Sequence, residues 1–292
     1  MNKIVSTILA CLLSVTAFAE EVDRTVDASA DGHVDISNIS GSVTVAGWSR
    51  DAVEVTGTLG RNVEKLILER DGDKVFIKVK VPRKGGRGID SDLRISVPQN
   101  SSIDVGTVSA DIDVTDVTGE QGLHTVSGNV NTEHTGAEIT AESVSGDVEV
   151  AGNNADGEVS ASTVSGNVTL FRVSGTVETG SVSGDVIVDE GSFTRATLET
   201  VTGEILFKAE LREGGKLAVD TVNGDVDVDF VGDVSATFNI DTFNGGIRNC
   251  FGPKAERTSK YAPGWELEFE EGGGKGRVII STLNGDVSIC KD

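Results

Sequence analysis

The 292-residue chain is poor in aromatic, proline and basic residues. Aromatic residues make up 4% of it, there are 4 prolines, and 25 Lys and Arg stand against 47 Asp and Glu, for a net charge of −22. This balance argues against binding of DNA or RNA, whose phosphates require clustered cations. A hydrophobic share of 37%, rich in Val, argues against wholesale disorder.

Long apolar runs are also missing, except at the start of the chain. Lys3 precedes an apolar run from Ile4 to Phe18, which is short for a membrane span, and an Ala-Phe-Ala sequence ends at Ala19. We predict a signal peptide over 1–19, cleavage after Ala19, and an exported mature chain of charge 24 − 47 = −23 without a transmembrane span. The alternative is a lipoprotein signal acylated at Cys11, for which the preceding residues form a poor lipobox.

Cysteine is scarce as well, since only Cys250 and Cys290 remain after cleavage. An even pair in an exported chain favours a disulfide. The Cys and His residues show no C-x-x-C or H-x-x-x-H spacing, so the sequence predicts neither a zinc site nor a cofactor.

What the sequence has in abundance is one short, glycine-containing unit. The hexad Thr-Val-Ser-Gly-Asn-Val at 163–168 recurs along the chain, and we call its Gly, or the residue in that place, the mark. The first eight marks lie 18 to 21 residues apart, and the last step is 40. The marks are Ala110, Gly128, Gly146, Gly166, Gly184, Gly203, Gly224, Gly245 and Gly285.

Apolar residues flank each mark at fixed distances, two places before it, two after it, and mostly seven and five before it. A spacing of two predicts strands with one buried face, and so short a unit buries that face only by stacking on copies of itself. We therefore predict an all-β fold, a parallel β-solenoid of about nine coils of 18–21 residues. The valines two places before the marks are predicted to line up in a shared aliphatic seam.

A Thr or Ser stands three places before every one of these marks. The apolar residues at seven and five before the mark are out of phase with the one at two before it, so a bulge or corner must lie between them. The sequence leaves open whether the hydroxyls point inward or outward.

Residues 20–104 are predicted to form an irregular N-terminal β-region that caps the solenoid of residues 105–292. Residues 34–43 read as one early copy of the unit, with Asn38 in the place of Thr. Residues 64–69 and 74–81 are predicted to form a hairpin around Asp71-Gly72-Asp73.

The final step of 40 residues has two interpretations. It contains either two coils or one coil with an insertion at 251–276. Cys250 and Cys290 each follow a mark by five residues. One coil apart, their Cα atoms would be about 4.8 Å from each other, inside the disulfide range, whereas two coils apart they would be about 9.6 Å from each other. We predict the insertion and the disulfide together.

These features resemble the bacterial putative-adhesin family of exported β-solenoid proteins. The resemblance rests on Val-Ser-Gly-Asp-Val at 182–186, Val-Asn-Gly-Asp-Val at 222–226, the less regular N-terminal β-region, and the C-terminal segment from Asn-Cys-Phe-Gly-Pro to Ser-Ile-Cys. It implies a β-solenoid in the cell envelope. The family's domain has no assigned function, so no functional residues carry over.

Three repeated patterns each have a functional and a structural interpretation. The Asp, Asn or Glu that follows most marks could bind calcium or stabilise the turn; these residues are Asp111, Asn129, Asp147, Asn167, Asp185, Glu204, Asp225 and Asp286. The Thr-x-Ser series could present an outward hydroxyl grid, as in ice-binding solenoids, or bond between coils. Gly272–Gly276 resembles a phosphate loop only superficially, because a strand-like segment follows it and the G-K-[ST] ending is absent.

Two regions stand out by composition. A basic segment could meet an anionic partner such as lipopolysaccharide phosphate, or be a solvated hairpin; its residues include Lys78, Lys80, Arg83, Lys84 and Arg87. The insertion could be a recognition loop, or a cap over the last coil; its aromatic residues are Phe251, Tyr261, Trp265 and Phe269.

We predict a non-catalytic binding or structural protein of the cell envelope, periplasmic or extracellular, with an unidentified protein or glycan partner. The alternative is a polysaccharide lyase or hydrolase built on a β-helix, which requires paired carboxylates flanking a groove. A groove with two or three carboxylates and an Arg or Lys at its floor would favour the enzyme. A smooth side wall would favour the binding protein.

Overall fold

The computed structural model describes residues 20–83, 86–259 and 263–291. All regular elements of these residues are β-strands, and they belong to one sheet of mixed strand orientation. The predicted all-β class is therefore confirmed. Within the described ranges, no helix has the length and apolar character needed to cross a membrane. The predicted signal peptide and the alternative acylation site at Cys11 lie outside the described residues.

The strands are numbered in chain order. They are β1 (Glu20–Asp27), β2 (His33–Ser37), β3 (Ser40–Trp48), β4 (Ala52–Leu59), β5 (Lys65–Asp71), β6 (Lys74–Lys80), β7 (Ser91–Pro98), β8 (Ser102–Gly106), β9 (Ser109–Thr115), β10 (Gln121–Thr125), β11 (Val130–His134), β12 (Ile139–Ser145), β13 (Val148–Gly152), β14 (Asp156–Ser165), β15 (Val168–Phe171), β16 (Ser174–Ser183), β17 (Val186–Thr202), β18 (Ile205–Asn223), β19 (Val226–Phe230), β20 (Ala236–Asn244), β21 (Ile247–Asn249), β22 (Glu256–Arg257), β23 (Trp265–Glu271), β24 (Gly276–Asn284) and β25 (Val287–Lys291).

The repeated units lie side by side as parallel layers, each with one strand before its mark and one after it. Equivalent residues are in register, as where Ile139 pairs with Val159 before the mark and Val148 with Val168 after it. The strands before the marks follow the order β6-β2-β8-β10-β12-β14-β16-β17-β18-β24-β20. The strands after the marks follow the order β7-β3-β9-β11-β13-β15-β17-β18-β19-β25-β21. The stacking of like on like gives a solenoid-like sheet.

The last two units are stacked in the reverse of their chain order. Strand β24, from the unit marked by Gly285, lies between β18 and β20, and β20 belongs to the unit marked by Gly245. Strands β20 and β21 therefore do not pair with the unit that precedes them in the chain. The later strands β24 and β25 lie between them and β18 and β19. The units of Gly245 and Gly285 are neighbours, as the disulfide prediction required.

The same arrangement occurs at the N-terminal end. Strands β2 and β3, the early copy of the unit, lie between β8 and β9 on one side and β6 and β7 on the other. Antiparallel strands cover the outer layers, with β5 on β6, β4 and β1 beyond β7, and β23 on β20. The hairpin around Asp71-Gly72-Asp73 is confirmed. These strands occupy the outer edges of β6, β7 and β20, so those edges cannot pair with another chain.

The interior is a narrow aliphatic slot in most layers. Val159 and Ala161 before the mark and Val168 and Leu170 after it are all fully buried, as the two-residue spacing predicts. The C-terminal half departs from the expected small-residue filling, because four buried phenylalanines follow one another there with ring centroids 5.8–6.1 Å apart. They are Phe193, Phe207, Phe230 and Phe238.

Candidate functional site

The repeat turns at its mark, and neighbouring layers approach each other closely at this corner. A Cβ built on Gly146, Gly166 or Gly184 would lie 1.9–2.2 Å from the carbonyl oxygen of the preceding mark. Such a contact is sterically forbidden, so glycine is required where the layers approach this closely. The repeated glycine is explained by stacking and does not itself indicate a ligand.

The Thr or Ser three places before the mark points inward, which answers the question left open by the sequence. Thr163 is 5% exposed, and its Oγ1 donates to the carbonyl of Gly146 at 2.9 Å. Ser181 bonds in the same way to Gly166 at 2.9 Å. The hydroxyl thereby donates a hydrogen bond to a carbonyl at the corner between the strands before the marks and the strands after them. Ice binding would need both the Thr and the Ser hydroxyls on the surface. The Thr side chains point inward, so they do not form part of an outward grid.

The Asp or Asn after the mark forms a hydrogen-bonded column between layers. The Oδ1 of Asp147 accepts the backbone N–H of Asn167 at 2.8 Å, and the Oδ1 of Asn167 accepts that of Asp185 at 2.9 Å. Asp and Asn offer the same acceptor oxygen, which explains why both occupy this place. Among the residues that the structure describes, no three His, Cys, Asp or Glu come together in a group that could hold a metal ion.

The apolar residue two places before the mark points outward, so our prediction that it lies in the buried seam is wrong. Val164 is 44% exposed and Val182 is 45% exposed. Successive side chains alternate between the faces of a strand, so an inward Thr or Ser forces the next side chain outward. The column exists, but on the surface, and we call it the apolar row. In spatial order it comprises Val108, Val126, Val144, Val164, Val182, Val201, Val222, Leu283 and Phe243.

A shallow groove of about 510 Å³ runs beside the apolar row, and we call it the row groove. Its second wall is made by residues four places before the mark, and the small Ser162 and Gly180 leave it room. Glu199 and Asp220, paired in register on β17 and β18, supply its charge. No Lys or Arg is among its lining residues, which are Ser162, Thr163, Gly180, Ser181, Val182, Glu199, Thr200, Val201, Asp220, Thr221 and Val222.

Electrostatic repulsion is present at one end of the row groove. Partial desolvation raises the pKa of Asp220, and the negative charge of Asp241, two layers along, raises it further. Ser281 lies between these acids in register and donates to the Oδ1 of Asp241 at 2.9 Å. A cationic group placed here would relieve the repulsion.

The two cysteines form the predicted disulfide. The Cα atoms of Cys250 and Cys290 are 4.9 Å apart, because the units of Gly245 and Gly285 are neighbours in the stack. Between the two cysteines, β22 and β23 form an antiparallel pair, and β23 lies along β20. The bond therefore joins the inserted layer to the outermost one.

The aromatic residues of the insertion are divided between the interior and the surface. Phe269 stacks on Phe238 with ring centroids 4.4 Å apart, and Phe251 lies 5.5 Å from the same ring. Trp265 is half-buried and faces the guanidinium of Arg257 at 4.9 Å. Tyr261 lies outside the described residues. The packing of Phe251 and Phe269 against the core favours a capping role for these two side chains.

The basic residues of the N-terminal region lie on an exposed strand and the loop after it. Lys78 and Lys80 are exposed on β6, and the Nζ of Lys80 is 2.9 Å from a carboxylate oxygen of Glu64. Arg83 and Arg87 are exposed, and Lys84 lies outside the described residues. The anion patch stays a prediction, with one of its cations already paired.

A smaller depression on the insertion hairpin is acidic with one cation. It is lined by Glu256, Glu266, Leu267, Glu268 and Lys254. All four charged side chains are exposed on the open surface of the hairpin. They do not form the deep cleft that encloses a substrate.

A family model described as Toastrack DUF4097 matches residues 26–182 and 174–290. No curated protein matches the chain. Solved structures that resemble it include a putative adhesin from Bacteroides fragilis, 11% identical, covering 94% of this chain and 99% of that one, with a TM-score of 0.40. A putative adhesin from Parabacteroides distasonis is 9% identical, covers 94% and 98%, and has a TM-score of 0.34. A putative lipid binding protein from Parabacteroides distasonis is 14% identical, covers 93% and 96%, and has a TM-score of 0.30.

Proposed function

The chain belongs to the Toastrack DUF4097 family, and on this premise we propose that it is an exported, non-catalytic envelope protein that binds a surface partner through its repeats. We infer that residues 1–19 are a removed signal peptide, that residues 20–104 form an N-terminal β-region, and that the layers of residues 105–292 are about nine coils of a parallel β-solenoid. The disulfide is consistent with export, because such bonds persist in oxidising compartments.

The observation that carries this proposal is the apolar row. Soluble proteins seldom expose a continuous apolar surface, and such surfaces mark interaction sites. Here each repeat contributes one exposed apolar residue at the same corner. The stacking multiplies one weak contact into a line of equivalent contacts, which suits an extended partner.

The enzyme alternative receives less support. The row groove has Glu199 and Asp220 but no Arg or Lys among its lining residues. The groove is shallow, and a polysaccharide enzyme needs carboxylates that flank an enclosed sugar. A wall that lacks basic and aromatic contacts suits binding along the row better than cleavage.

Site-specific photo-crosslinking in intact cells tests the proposal. A photoreactive benzoylphenylalanine is placed at Val164 in the row and, as a control, at Val231, which is 43% exposed outside the row. We expect a crosslinked envelope partner from the first position and none from the second. Equal crosslinking from both positions, or none from Val164, Val144 and Val201 in turn, would refute binding through the row.

A further inference from the structure

The apolar row is long enough to serve a whole polypeptide segment. Nine residues stand on successive layers, and eight layer spacings give a length of about 38 Å. Each of the nine is between 39% and 48% exposed, so together they expose on the order of 600 Å², as much as the largest patch on a typical monomer. A helix lying along the row would span about 25 residues.

The fold does not require an apolar residue at this outward place. The residues four places before the mark also face outward, and there the chain uses polar or small side chains such as His124, Glu142 and Ser162. The residue directly before the mark is exposed too, and it is Ser, Thr or Asn in every unit from Ser109 onward. Thr would suit the strand as well as Val does. The repeated choice of Val, Leu or Phe is therefore specific to this column.

The surroundings of the row are acidic. Glu199, Asp220 and Asp241 stand on one side and are exposed. On the other side, the half-buried Asp185 and the exposed Asp225 follow the marks. The nearest basic column on the same strands is set four positions further back, at Arg195, Lys216 and Arg277. A second copy of this chain would bring a net charge of −22 against these acids, and anionic lipid or phosphate would meet the same repulsion.

We propose that the apolar row with its acidic flanks binds a cationic, amphipathic polypeptide segment lying along the solenoid axis, an inference that rests on the proposed function and names the partner's chemistry. Apolar side chains of the segment contact the row, and its Lys or Arg side chains reach the carboxylates on either side. This is the arrangement by which an amphipathic helix is held in an apolar groove. Partial burial and the charge of Asp241 raise the pKa of Asp220, and a Lys or Arg side chain bound beside it would favour its ionised form.

The test uses the oxidised chain of residues 20–292 and a fluorescent 14-residue peptide of Leu and Lys with a 3.6-residue apolar period. We expect the triple variant Val164→Thr, Val182→Thr and Val201→Thr to raise the dissociation constant at least tenfold. Thr keeps the shape of Val but replaces part of its apolar surface with a hydroxyl. The control variant Leu206→Thr with Val231→Thr, at exposed places outside the row, should change it less than twofold.

The charge requirement is tested in the same assay. Replacing Asp185 by Asn retains the layer-to-layer hydrogen bond, since Asn167 occupies the equivalent place. Combined with Glu199→Gln and Asp220→Asn, it should weaken binding and flatten its dependence on salt. A peptide with Glu in place of Lys should not bind. Equal binding of that peptide, or an unchanged affinity in the Val triple variant, would overturn the proposal.

Failure of this inference can be told apart from failure of the proposed function. If the peptide ignores the row but the envelope partner still crosslinks at Val164, the partner's chemistry is wrong and binding through the row stands. If neither the peptide nor an envelope component engages the row, both are refuted. Self-association in analytical ultracentrifugation that the Val triple variant abolishes would assign the row to a second copy and overturn the cationic partner.

Discussion

Two threonines in the same place of the repeat should respond in opposite ways to replacement by valine. Thr163 is 5% exposed and donates to Gly146 at 2.9 Å. Thr221 is 7% exposed, and its Oγ1 has no hydrogen-bond partner. Valine has nearly the shape of threonine, so the pair of variants isolates the hydrogen bond from the packing around it.

The expected magnitudes follow from the hydrogen bond. Thr163→Val removes a buried bond and leaves the Gly146 carbonyl without its side-chain donor, which should lower the free energy of unfolding by about 1–2 kcal/mol after the gain from burying a methyl group. Thr221→Val loses no bond and removes an unpaired buried hydroxyl, so stability should be unchanged or rise by about 1 kcal/mol.

Urea unfolding followed by far-UV circular dichroism measures both variants against the parent chain. The midpoint should fall for Thr163→Val and stay or rise for Thr221→Val, with equal slopes in all three proteins. In thermal unfolding, each kcal/mol corresponds to a shift of about 2–4 °C. Equal destabilisation of both variants would show that the Thr column acts by shape, and the hydrogen-bond argument would be wrong.

Three further predictions concern the glycine corner, the disulfide and a buried histidine. Gly166→Ala puts a Cβ 2.2 Å from a backbone oxygen and should lower the free energy of unfolding by about 3 kcal/mol or more. In the control Gly106→Ala, the new Cβ has no atom within 4 Å, and the free energy of unfolding measured in urea should change by less than about 1 kcal/mol. Replacing both Cys250 and Cys290 by Ser opens a bond across 40 residues, so it should cost about 4 kcal/mol by loop entropy and make the midpoint insensitive to dithiothreitol; an unchanged midpoint would contradict this. Burial lowers the pKa of His134 below its usual 6.5, so its contribution to stability is fully present above pH 6.5 and is lost as the pH falls towards its folded value; the variant His134→Leu should lose less stability between pH 7.5 and 5.5 than the parent chain.

The repeat, its strands and the disulfide could be predicted from local pattern. Residues two apart on a strand share a face, so Val159 and Ala161 were assigned correctly to the buried side. The place of Cys250 and Cys290 in the unit required only that their units be adjacent. These predictions succeed because in-register stacking converts a sequence period directly into a spatial neighbour.

The apolar row was predicted on the buried face because the hydrophobicity of a residue does not indicate which way its side chain points. Val164 is apolar like the core residues, and the sequence contained a warning in the phase break before the mark. The hydrogen bond of Thr163 to Gly146 settles the direction, since it buries a polar side chain and turns the apolar one outward. Judged by residue type alone, Val164 would be expected to be buried and Thr163 exposed, which is the opposite of what is found.

The sequence by itself determined the unit, its strand pairs, the glycine corners and the residue types that face each other between layers, because each depends on contacts that recur with the period of the chain. Only the tertiary structure decided the order of the layers at the two ends, where β24 fills the place between β18 and β20 and β2 lies between β6 and β8. The units are nearly equivalent in register and shape, so local pattern does not distinguish one neighbour from another. The choice is made by the long connections between strands and by the antiparallel strands that cover the outer layers.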